Sequence, residues 1–117
     1  MTSHKDIKKI SFTGSIATGK KIMVNCAQTM KKCTLELGGN DAAIVCEDVD
    51  IPAVAKELVV GGSWNSGQVC MATKRVYIHE NIYGQMVKAL IEEVGSKYQT
   101  FQNRQLVFRV NEKLTST

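Results

Sequence analysis

Three short stretches of this 117-residue chain combine residue types that could do chemistry. The first is FTGSIATGKK, residues 12–21, in which Gly14 is followed by four residues, then Gly19 and Lys20. That spacing approaches a P-loop, where backbone N–H groups cradle phosphates and a Ser or Thr after the lysine holds magnesium. Lys21 stands where that hydroxyl is needed, so the nucleoside-triphosphate reading lacks its metal ligand. Gly-Ser between a strand and a helix still suits an anion, because a helix N-terminus offers free N–H groups and partial positive charge. The alternative is that Gly14 and Ser15 serve turn geometry alone. The second stretch, LELGGN, holds Glu36 between Leu35 and Leu37. Either the carboxylate lies on the solvent side of a strand, or an apolar pocket raises its pKa toward general-base work. The third, NSGQVCMATKR, holds Cys70 in a Gly/Ser/Asn-rich loop, a better setting for a nucleophile than the interior of an element.

The elements that must position these residues alternate. IKKISFTG reads as a strand ending in glycine, and Ser15 is a good N-cap for a helix. Ile16, Ile22, Met23, Cys26, Ala27 and Met30 then recur at helical spacing. CTLELGG is a second strand, and DAAIVCE a third, apolar almost throughout, as a parallel strand buried on both faces would be. VDIPAVAKELVVGGSW is helical, with Pro52 in its first turn and Ala55, Leu58 and Val59 on one face. ATKRVYIHE is a further strand. Ile82, Met86, Val87, Leu90, Ile91, Val94 and Tyr98 then form a helical stripe expected to face the core. Strand–helix alternation predicts an α/β fold with a mostly parallel sheet. The tail from Gln99 is polar apart from Leu106–Val110 and receives no element.

Composition narrows the class. The chain is 44% hydrophobic and 22% charged, with a single proline, which is globular usage. It contains no apolar run long enough to span a membrane, and MTSHKDIKK has no apolar signal core, so a cytoplasmic protein is expected. Net charge is +4, unevenly placed: seven lysines less Asp6 give residues 1–35 a charge of +6. Those lysines are scattered, with little aromatic interleaving, so a solvated, anion-attracting face is expected rather than a nucleic-acid site. Cys26, Cys33, Cys46 and Cys70 show no Cys-x-x-Cys, and His4 and His79 lie far from any cysteine pair, so neither a metal site nor disulfides are expected. Cys26, Cys33 and Cys46 are expected inside elements as structural thiols.

Taken in order, ISFTGS…TGK, TLELGGND and GQVCMATKRVYIHE resemble the aldehyde dehydrogenase superfamily, NAD(P)-dependent enzymes that oxidise aldehydes to acids. The resemblance covers roughly residues 3–98, and Glu36 and Cys70 stand 34 positions apart, as that family's glutamate and cysteine do. It implies that residues 1–36 end a Rossmann-like cofactor domain and residues 37–98 begin the catalytic domain, with 99–117 divergent. It implies NAD or NADP as cofactor, held by Gly14, Ser15 and Gly19 at the pyrophosphate and by the main chain of Leu37 and Gly38 near the nicotinamide. It makes Cys70 the nucleophile and Glu36 the base that hydrolyses the thioester, with a small-molecule aldehyde as partner and homo-oligomers in full-length members. Family members are much longer, and their second oxyanion donor, adenosine-ribose grip and nicotinamide-ribose pair are expected outside this chain. The chain is therefore expected to be a piece of the aldehyde dehydrogenase fold. Its isolated form is expected to be inactive and not to form the full-length family's homo-oligomer; a catalytically dead interaction module that keeps the α/β pattern is the alternative.

Overall fold

The computed structural model describes residues 1–98 and 109–114, with side chains described through residue 96. The element order is β1 (Lys9–Thr13), α1 (Ile16–Ala27), β2 (Lys32–Glu36), β3 (Asp41–Val45), α2 (Ile51–Ser63), β4 (Thr73–His79), α3 (Tyr83–Tyr98) and β5 (Arg109–Leu114). A tight turn with left-handed backbone occupies Trp64–Gly67, and a short 3-10 turn Glu80–Ile82. The alternation expected from the sequence is thus present, and every strand pairing is parallel. The chain divides into two compact units, Met1–Gly39 and Asn40–Thr117.

The first unit is one β1–α1–β2 crossover. Lys9 to Thr13 lie beside Lys32 to Glu36 in parallel register, so Thr13 and Glu36 finish the two strands together. Alternation puts Ile10, Phe12, Cys33 and Leu35 on the half-buried face, where α1 supplies buried Gly19 and Cys26. Two strands are too narrow to cover the whole apolar arc of α1. Ile16, Met23 and Ala27 therefore remain exposed, although their spacing matches a buried stripe. Met30, expected to continue that stripe, lies beyond the helix with φ of 52° and its side chain 91% exposed. The Lys31 ammonium fastens the N-terminal segment by donating to the carbonyls of His4 at 2.6 Å and Ile7 at 2.8 Å.

In the second unit the sheet order is β3–β4–β5, the order of the chain. Two successive crossovers of one hand that step the same way lay both helices on one face of a sheet. The core agrees: Val45, Val76 and Ile78 of the sheet meet Ala55 and Leu58 of α2, Ile82 of the turn before α3, and Met86 in the first turns of α3. Asp50 caps α2 by accepting from the Ala53 N–H at 3.1 Å, and Pro52 sits in the first turn, where its missing donor is harmless.

Three expectations fail here for the same reason, one-sided cover. β3 is not buried on both faces: Val45 is buried but Ile44 is 70% exposed, because only the face toward α2 and α3 is covered. Cys46 lies one residue past β3 and is exposed, so it is not a core thiol. On α3, Met86 is buried and Val87 and Leu90 pack on the core, but Ile91 is 67% exposed. Five residues turn a helix by about 140° relative to Met86, which carries Ile91 off the buried face. The Tyr98 side chain lies outside the described set. The tail, unassigned from sequence, contributes β5 alongside β4; residues 99–108 and 115–117 lie outside the described residues.

Candidate active site

The first unit gathers six of the candidate residues at the carboxyl ends of β1 and β2, the end of a parallel sheet where α/β proteins place ligands. The Gly14 N–H donates to the Glu36 carbonyl at 3.0 Å, which closes the strand pair just where both loops leave. A Cβ on Gly14 would fall 2.5 Å from the Phe12 ring. Ser15 caps α1: its Oγ accepts from the Thr18 N–H at 3.2 Å and donates to Thr18 Oγ1 at 3.0 Å. No acidic residue occupies the first turn of α1, and exposed Lys20 and Lys21 follow, so the helix start keeps its positive character. Gly19 is buried, and a Cβ there would come 2.7 Å from Leu37 Cδ2. Within this unit, then, the group that Gly19 lets close is the side chain of Leu37. Gly38 is open, with nothing within 4 Å of a Cβ built on it.

Glu36 is the last residue of β2 and is exposed, on the face with Lys32 and Thr34 and away from α1. Of the two sequence readings, the solvent-side placement is the one the unit itself shows.

Cys70 belongs to the second unit, in the loop between α2 and β4. It is exposed in a turn closed by the Ala72 N–H donating to the Val69 carbonyl at 3.1 Å. The backbone before it is unusual. Asn65, Ser66 and Gly67 are consecutively left-handed, with φ of 50°, 59° and 73°. Non-glycine residues resist that region by roughly 1–2 kcal/mol each, Asn less than most. Local bonds hold the turn: the Gln68 N–H donates to the Asn65 carbonyl at 3.1 Å, and Asn65 Nδ2 to the Gln68 carbonyl at 3.3 Å. The half-buried Lys74 ammonium, reaching back from β4, donates to the Gly67 carbonyl and to the Val69 carbonyl at 3.5 Å. Arg75 anchors the opposite face of the strand, bonding the Asn40 carbonyl at 3.0 Å and the Tyr77 hydroxyl at 3.1 Å.

Sequence reasoning found the loop but missed Lys74 and the left-handed run. The signals are Asn-Ser-Gly, three residue types that favour turns, and a lysine at the start of a strand otherwise rich in core residues.

A strand–turn–helix suited to an anion, a glutamate at the end of the next strand and a loop thiol further on form an ordered set, and comparison with known proteins gives the set its family. The model of the aldehyde dehydrogenase family matches residues 1–104, and the chain belongs to that family. Among curated relatives, aldehyde dehydrogenase LUC3 of Fusarium sp is 50% identical over 93 residues, covering 79% of this chain and 20% of the relative. Chloroplastic betaine aldehyde dehydrogenase of Beta vulgaris is 45% identical over 92 residues, covering 79% of this chain and 18% of the relative. Among solved structures, succinate-semialdehyde dehydrogenase from Burkholderia pseudomallei superposes with a TM-score of 0.77 at 40% identity, over 81% of this chain and 20% of that one. Betaine aldehyde dehydrogenase from Staphylococcus aureus, solved in complex with NAD+, gives 0.76 at 38% identity, over 80% of this chain and 19% of that one. The chain thus spans about a quarter or less of the length of the curated relatives it matches.

Proposed function

We propose that this segment supplies the nucleophile, the deacylating base and part of the cofactor grip of an NAD(P)-dependent aldehyde dehydrogenase. The observation that carries the proposal is the family match across residues 1–104, which includes an exposed Cys70 in an ordered turn and an exposed Glu36 at a strand end. Residues 1–36 would end the cofactor domain and residues 37–98 begin the catalytic domain, with Glu36 at the boundary.

The residues at the start of α1 fit an anionic cofactor. A helix leaves its first N–H groups without internal partners. Here no carboxylate opposes them, and Gly14 and Ser15 keep the approach small. Gly38, bare on its outer side, exposes main chain beside Leu37 where a flat ring could lie. When bound, NAD or NADP would accept the hydride that converts the cysteine adduct into a thioester.

The chain's own residues do the rest. Cys70 Sγ, as thiolate, bonds to the aldehyde carbon while the carbonyl π pair moves to oxygen, giving a thiohemiacetal oxyanion. The Cys70 main-chain N–H is the donor this segment offers to that oxygen. After oxidation, Glu36 takes a proton from water. The resulting hydroxide adds to the thioester carbon, the C–S bond breaks, and the carboxylic acid leaves Cys70 as thiolate. A solvent-side carboxylate is suited to this role, since it must meet water. The aldehyde is a small molecule whose identity rests with the rest of the substrate funnel.

A second reading concerns the isolated polypeptide. Ile16, Met23, Val24 and Ile44 are each exposed, and such apolar surface suits a module that associates rather than turns over. An NADH-production assay with betaine aldehyde and succinate semialdehyde separates the two. A complete enzyme carrying this segment should oxidise an aldehyde and lose that activity to background in Cys70→Ser. The 117-residue chain alone should show none. Activity that survives Cys70→Ser in the complete enzyme removes Cys70 from the mechanism.

A further inference from the structure

We propose that Lys74 is a positioning residue, whose ammonium clamps the left-handed turn of residues 65–67 and so presents Cys70. The proposal rests on Cys70 being the nucleophile for its catalytic meaning, but the clamp stands on geometry alone.

Lys74 is half-buried at the start of β4, and its bonds are to main-chain carbonyls, those of Gly67 and Val69. Among the described residues no carboxylate pairs with it. A lysine normally keeps its ammonium in water and its stem on the protein. Here the charge is drawn inward onto carbonyl oxygens. These two carbonyls straddle the segment that matters. Gly67 ends the left-handed run, and Val69 immediately precedes Cys70. The Val69 carbonyl also accepts the Ala72 N–H at 3.1 Å, so one oxygen joins the clamp to the turn that holds the thiol.

The backbone requires such a hold. Asn65 and Ser66 have side chains and yet adopt positive φ, and Gly67 packs so tightly that a Cβ would sit 3.1 Å from the Gly62 carbonyl. Successive left-handed residues aim their carbonyls to one side, and a cation there stabilises the arrangement by charge-assisted hydrogen bonds. Both functions asked of Cys70, a nucleophilic Sγ and a main-chain N–H for the oxyanion, depend on the orientation of the one peptide that joins Val69 to Cys70. A residue that fixes the Val69 carbonyl fixes that N–H as well, because the peptide unit is planar.

The test uses hydrogen exchange on the full chain and on its Lys74→Met and Lys74→Arg variants. The Gln68 and Ala72 amides report the turn, since both are hydrogen-bonded within it. Amides of Val76, Ile78 and Met86 report the core around it. Charge-assisted bonds are worth a factor of about 10–100 in a local equilibrium. In Lys74→Met the Gln68 and Ala72 amides should exchange about tenfold faster or more, with the core amides unchanged, and Lys74→Arg should recover much of the protection. Iodoacetamide labelling of Cys70 should slow in Lys74→Met relative to Cys46 in the same molecule, and recover in Lys74→Arg. Unchanged exchange at Gln68 and Ala72 overturns the clamp. Faster exchange throughout the core makes Lys74 a general stability residue and overturns it as well. Faster exchange in the turn with Cys70 labelling unaltered relative to Cys46 overturns positioning. If the clamp holds while Cys70→Ser leaves a complete enzyme active, it is the catalytic reading of Cys70 that has failed and not the clamp.

Discussion

The two units hold their candidate loops by different means. In Met1–Gly39 the loop after β1 is fixed by small, uncharged devices: a serine cap, a glycine against Phe12 and a glycine against Leu37. In Asn40–Thr117 the Cys70 loop runs through left-handed backbone that neutral bonds and one ammonium hold together. Their foundations differ as well. The first unit fully buries only Gly19 and Cys26 between its helix and sheet, whereas the second packs seven buried side chains into one cluster. A two-stranded sheet is marginal by itself, and three strands with a helical cover are not. The costly loop therefore sits on the unit with the core to support it, and the inexpensive turn sits on the thin one.

The largest expected effect separates the two loops chemically. In a complete enzyme carrying this segment, Glu36→Gln should lower steady turnover by about 10²–10⁴-fold, the usual worth of general-base assistance. Glutamine keeps the shape but cannot take a proton from water. The first turnover, which needs the thiolate of the other loop, should survive as a burst of NADH, with a thioester on Cys70 visible by mass spectrometry. If burst and steady rate fall together and no adduct accumulates, Glu36 acts before hydride transfer and the division of labour is wrong.

Next comes the difference in foundations. Met86 is fully buried in the second unit's cluster, so Met86→Ala should cost that unit about 2–5 kcal/mol. Hydrogen exchange should show the loss at Val76 and Ile78, while the Phe12 and Leu35 amides of the first unit keep their rates. Equal acceleration in both would mean that the units unfold as one cooperative body, with no separate foundation for either loop.

Elements with strong local signals were legible in the sequence. Ser15 announced α1 by capping, Pro52 suited the first turn of α2, and Ile82, Met86 and Leu90 announced α3 by period. What failed depended on how many layers cover an element, which local patterns do not encode. DAAIVC reads as fully buried, yet Ile44 and Cys46 are exposed because helices cover one face only. Met30 and Ile91 fit an apolar period but fall past a helix end or off the covered arc. Among the candidate residues, Cys70 and Glu36 stood out by residue type and setting. Lys74 did not, because a lysine beside Arg75 reads as surface charge until the carbonyls that receive it are known.

The smallest effect lies in the first unit and tests how tightly its thin interior closes. The Cys33 thiol is pushed up from its ordinary pKa, first by desolvation under α1 and then by the Cys26 thiol, through a hydrogen bond and its charge when ionised. A thiol is neutral when protonated, so burial and a second sulfur both oppose the thiolate. Alkylation of Cys33 in the folded chain should therefore reach half its limiting rate at a higher pH than the same residue does in urea. Because the folded pKa is the higher one, the linked stabilisation is fully present below the unfolded value and is lost as pH rises through the folded one. Mild alkali should thus loosen the first unit, seen as faster exchange at Leu35. Cys26→Ala should remove the secondary cause and bring the Cys33 profile part of the way back, leaving the shift due to desolvation. A Cys33 profile identical in folded chain and urea would mean that α1 does not close over β2, and the first unit would then be an open βα hook rather than a packed layer.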